Sequence, residues 1–108
     1  MLSRDIHYRK PTVDNAIEHL AIFLRNVKGK EKIVEVITGH GSTGGTHKIK
    51  TASIKYLEEL KNKGYIRDYI VGNELDIFNP KYQKFAFKNL IPEAEKRKLN
   101  PGSIFVVL

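Results

Sequence analysis

The sequence predicts an α/β domain of two layers: a mixed four-stranded sheet laid down as β-α-β-α-β-β, two main helices, and a short helical insertion before the last strand. Three observations carry this expectation. β-branched and aromatic runs alternate with stretches of helical apolar spacing, as in successive strand–helix–strand crossovers. Glycines stand at the boundaries of these runs, at Gly29, Gly39, Gly64 and Gly102. The 108 residues, 41% of them hydrophobic, suffice for one core and leave no room for a second.

Residues 3–8 read as a first strand that opens into Arg9-Lys10-Pro11. Thr12 is an N-cap residue, and from Val13 the apolar side chains fall at 13, 16, 17, 20, 23, 24 and 27, which is one buried helical face ended by Gly29. Lys32 to Thr38 is rich in β-branched residues and reads as a central strand. A second helix is expected over about 47–63, burying Ile49, Ala52, Tyr56, Leu57 and Leu60, with Gly64 as its cap. Tyr65 to Val71 and Gly102 to Leu108 read as the last two strands, the final one antiparallel to a neighbour. Residues 73–101, broken by Asn79-Pro80, Pro92 and Asn100-Pro101, are expected to be an insertion holding one or two short helices within a single domain, 1–108. Inside it Phe78, Tyr82 and Phe85 recur at helical spacing and should pack on the core, while Lys96-Arg97-Lys98 should form an exposed basic turn.

Charge and composition narrow the function. Nineteen Lys and Arg against 12 Asp and Glu give a net charge of +7, which favours a polyanionic partner: DNA, RNA, a ribosome or an anionic membrane face. No cysteine is present, so disulfides, thiol nucleophiles and thiolate metal sites are excluded, in keeping with a reducing cytoplasm. No apolar run is long enough to span a bilayer, and neither helix has the face expected of a membrane-surface binder.

The chemistry-bearing residues gather at two places. Gly39-His40-Gly41-Ser42-Thr43-Gly44-Gly45 lies between an apolar strand and an amphipathic helix. Glycine lets backbone N–H groups turn inward there, and the positive end of the following helix adds to the field, so the loop suits a phosphate. It lacks the Lys-Ser/Thr pair of a mononucleotide loop and the acidic residue of a dinucleotide fold. His47, Lys48 and Lys50 follow it and can add positive charge. Asp5-x-His7 is the second place. Residues i and i+2 of a strand face the same side, so both should project at the C-terminal end of the first strand, where open α/β sheets bind ligands. A carboxylate beside an imidazole can fix its tautomer for acid–base work. His19, inside the first helix, reads as a structural or surface residue. No histidine pair has ligand spacing and no carboxylate cluster occurs, so the sequence requires no cofactor, and metal dependence is left open.

These residues, taken in order, resemble those of small MutS-related (Smr) domains. Asp5-Ile6-His7 is similar to the family's opening Asp-Leu-His motif, and Ile37-Thr38-Gly39-His40-Gly41 to its hydrophobic-(Thr/His)-Gly-x-Gly motif. Ile49-Lys50 with Tyr56-Leu57 matches the spacing of its Leu-Arg and Trp-Leu helix, and residues 102–108 its closing strand. The resemblance implies a β-α-β-α-β-β domain akin to the C-terminal domain of bacterial translation initiation factor three. It implies an endonuclease acting on DNA or RNA, with Asp5 and His7 catalytic and Gly39 and Gly41 on the substrate phosphate. The chain departs from the family at Tyr8, where many members have glycine, at Arg4 and Lys50, in the longer loop through Thr46, and in residues 73–101. A non-catalytic nucleic-acid or ribosome-binding module on the same scaffold is the alternative expectation, and a small-molecule phosphate enzyme the third.

Overall fold

Thr12 starts helix α1 (Val13–Val27) by accepting the Asn15 N–H on its hydroxyl at 3.2 Å. Ala16, Leu20, Phe23, Leu24 and Val27 form the buried face expected from their spacing. Helix α2 (His47–Asn62) buries Ile49, Ser53 and Leu57, and Ser53 returns its hydroxyl to the Ile49 carbonyl at 2.7 Å. Its end is closed by two bonds, Tyr65 N–H to Leu60 O and Gly64 N–H to Lys61 O, around Gly64 at φ +77°. That pair of bonds turns the chain through a left-handed residue, which only glycine adopts freely. These details come from a computed structural model, which describes residues 1–9, 11–39 and 47–108.

The sheet contains β1 (Ser3–Asp5), β2 (Ile33–Ile37), β3 (Asp68–Val71) and β4 (Ser103–Val107) in the order β1-β2-β4-β3. β1 is parallel to β2, and β4 runs antiparallel to both β2 and β3. The last strand in sequence therefore sits inside the sheet. Its apolar residues serve both faces: Ile104 and Val106 meet α1 and α2, while Phe105 and Val107 face the other way. The mixed four-stranded α/β architecture with two main helices is as the sequence predicts. The first and third strands are shorter than expected, at residues 3–5 and 68–71 rather than 3–8 and 65–71.

Residues 73–101 cover the sheet face opposite α1 and α2. They supply short 3-10 turns at Gly72–Glu74 and Pro80–Gln83 and two short helices, α3 (Phe85–Asn89) and α4 (Glu93–Lys98). Leu75, Phe87 and Ile91 pack there on Ile33, Ile70, Phe105 and Val107, with Tyr82, Ala86 and Leu90 at the margin. Two expectations are corrected here. Phe78 is 86% exposed, because an Asx turn from Asp76 to the Phe78 N–H aims it away from the sheet. Lys96 is buried rather than part of an exposed turn: its ammonium donates to the Lys88 carbonyl and to Glu93, and stands over the Tyr82 ring. Burying an ammonium group this deep is costly unless its N–H groups find acceptors, which the Lys88 carbonyl and Glu93 supply.

Glu35 is the one acidic side chain of β2 and is buried on the same covered face. Burial pushes its carboxyl above the usual carboxylate range. The Ser103 hydroxyl opposes the rise, Glu95 adds to it, and Lys98 opposes it.

Candidate active site

The parallel pairing of β1 and β2 sets Asp5 beside Ile37. The Ile6 N–H adds one more bond to the Ile37 carbonyl at 2.9 Å, and Ile6 then plunges into the core at 1% exposure. Beyond it the strand breaks, because the Asp5 carboxylate accepts the backbone N–H of His7 at 2.8 Å. A short acidic side chain that captures the N–H two residues on makes an Asx turn and competes with strand pairing. This corrects one expectation: Asp5 and His7 are not successive same-face residues of one strand. Asp5 holds the main chain of His7 and thereby sets where the imidazole goes.

The imidazole goes against Gly39. A Cβ at that position would lie 2.8 Å from the ring Cγ and 2.9 Å from Cδ2 and Nδ1, inside van der Waals contact. Gly39 also has φ +71°, a left-handed conformation that side chains with a Cβ resist. Both requirements select glycine, and together they join the two sequence motifs physically. Thr38 underpins the contact. Fully buried, it bonds through its N–H to the Gly102 carbonyl at 2.8 Å, and its hydroxyl lies 3.2 Å from the Gly39 carbonyl and 3.3 Å from that of Gly102. The first peptide after β2 is thus anchored to the start of β4.

The remaining predicted residues divide. His40, Gly41, Ser42, Thr43, Gly44 and Gly45 lie outside the described residues. His47 opens α2, followed in its first turn by Lys48, exposed, and Lys50, half-buried. No hydrogen bond or ion pair among the described residues joins either lysine to Asp5 or His7. No group of three or more His, Asp or Glu side chains among the described residues is placed to hold a metal ion.

Sequence reasoning missed the surroundings of this corner. A groove of about 430 Å³ runs between β1 and the first half of α1, lined by Arg4, Asp5, Ile6, Tyr8, Pro11, Asn15 and His19. Asn15 and His19, four residues apart, share one helical face, and that spacing was a legible signal. Tyr8 is 68% exposed, with the Arg9 guanidinium 5.4 Å from its ring centroid, and Arg9 is itself left-handed at φ +63°. A larger hollow of about 800 Å³ opens at the opposite end of the sheet, among Lys30, Lys32, Arg67 and Lys84 over Phe87 and Leu90. None of the residues predicted for the site lines it. Its one buried acid, Asp68, is occupied. Burial opposes its ionisation, yet hydrogen bonds from Lys84, the Tyr69 N–H and Lys61 together hold its carboxyl below the usual range.

Comparison of the chain with protein-family models, with curated proteins and with solved structures finds no match.

Proposed function

We propose that the chain is a nucleic-acid endonuclease of Smr type, cleaving phosphodiester bonds at the corner where β1 and β2 end. The observation that supports this best is the packing of the His7 imidazole on Gly39, with Asp5 turning the His7 main chain into place. Opening motif and glycine motif are 32 residues apart in sequence and in contact in space. A structural histidine needs no such partner, whereas an acid–base imidazole needs a fixed ring beside a phosphate site.

In this reading the residues from Gly39 to Gly45 hold the scissile phosphate and stabilise its developing charge through backbone N–H groups, with Lys48, Lys50 and His47 adding positive charge. His7 takes a proton from the nucleophile or gives one to the leaving oxygen. Asp5 is a positioning residue, its Oδ1 accepting the His7 backbone N–H. With RNA the neighbouring 2′-hydroxyl attacks the phosphorus and loses its proton while the P–O5′ bond breaks and the 5′-oxygen leaves protonated, giving a 2′,3′-cyclic phosphate and a 5′-hydroxyl; addition of water to the cyclic ester gives a 2′- or 3′-phosphate.

The deciding experiment incubates end-labelled RNA and DNA strands with the chain and with His7→Ala, and identifies the product ends. Cleavage lost in His7→Ala while strand binding persists supports the reading. Equal cleavage by both removes His7 from the mechanism. Binding without cleavage by either identifies a binding module instead.

A further inference from the structure

Building on the nuclease reading, we propose that the substrate reaches this corner unpaired, and that the groove beside Tyr8 receives one nucleobase next to the scissile phosphate. Tyr8 follows His7 directly and lines the groove together with Asp5 and Ile6, so the groove adjoins the turn that carries His7 to Gly39. It is also the one tyrosine of five that lies open: Tyr69 is buried and Tyr56, Tyr65 and Tyr82 are half-buried. Folding gives no reason for an exposed phenol at a turn. The Arg9 guanidinium beside the ring offers a second flat cationic surface, and Arg9 has a left-handed backbone.

The groove fits such an occupant. Its volume of about 430 Å³ falls in the range of about 300–1,000 Å³ typical of small-ligand sites. Asn15 and His19 line the groove with groups able to hydrogen-bond a base edge, and Arg4, its guanidinium 5.5 Å from the Phe23 ring centroid, adds positive charge to the same lining. A base locked in a duplex cannot offer its face to Tyr8, so the arrangement selects single strands, loops or frayed ends.

The test measures binding of the His7→Ala chain, at one fixed salt concentration, to a fluorescein-labelled single strand, the matching duplex, and a base-free tetrahydrofuran strand of equal length and charge. The expected order is single strand tightest. Tyr8→Ala should then weaken single-strand binding by about 5- to 150-fold, the range for one lost base stack. It should leave binding to the base-free strand unchanged, and Tyr8→Phe should restore the loss. Tyr8→Ala binding the single strand as tightly as its parent overturns the subsite and leaves the nuclease reading standing, as does a preference for the duplex. Failure of all three nucleic acids to bind overturns both.

Discussion

Replacing Gly39 by alanine tests whether the site's geometry has been assigned correctly, since two separable penalties meet at that Cβ. The first is backbone strain. A left-handed residue carrying a Cβ costs about 1–2 kcal/mol, and in a domain of this size each kcal/mol lowers Tm by about 4–8 °C. The second is displacement. The imidazole of His7 stands 2.8 Å from that Cβ position and ordinary contact begins at 3.4 Å, so the ring must retreat by 0.6 Å. A shift of that order costs about 10- to 100-fold in a reaction that depends on ring placement. Gly64→Ala is the matched control, with φ +77° and nothing within 4 Å of its Cβ. Thermal melting should show both variants destabilised alike. Gly39→Ala alone should lose cleavage and shift the His7 imidazole resonances in proton–carbon NMR. A Gly39→Ala chain that keeps those resonances and cleaves at the parental rate refutes the reasoning.

Glu35→Gln should raise Tm at neutral pH. The folded carboxyl titrates above its ordinary value of 4.5, so the folded state binds the proton more tightly than the unfolded one, and Glu35 costs stability increasingly as pH rises from that value to the folded pKa. Melting curves of the two chains should therefore converge below pH 4.5 and separate above it. Lys96→Met should cost about 1–3 kcal/mol by denaturant melting, because the Lys88 carbonyl loses its charged donor under the helical cover. A Lys96→Met chain as stable as its parent would show that water satisfies that carbonyl.

Much of the fold was legible because the helix signals were local. Thr12, the spacing from Val13 to Val27, and Gly64 each act within a few residues, and both main helices stand where those signals place them. The covered outer face was not read, although the unbroken apolar run Ile104-Phe105-Val106-Val107 carries the information. A strand apolar on alternate and intervening positions alike needs cover on both sides. Phe78 and Phe87 show the limit of the pattern: both are aromatic residues of the insertion, one 86% exposed and one fully buried. Which of them reaches the sheet depends on where the Asp76 turn points the chain.

The site divides in the same way. The amino-acid sequence alone singled out Asp5, His7 and Gly39, because an acid two residues before a histidine and a glycine closing an apolar strand are patterns with chemical meaning. The tertiary structure decided how each is held. Inserting β4 between β2 and β3 leaves β1 at the edge beside β2, which carries His7 to Gly39 and opens a groove against α1. Asp5 changed from an imidazole partner to a backbone clamp. That choice turned on which hydrogen bond was shorter to reach: a carboxylate at a strand end finds the N–H two residues ahead before it finds a ring.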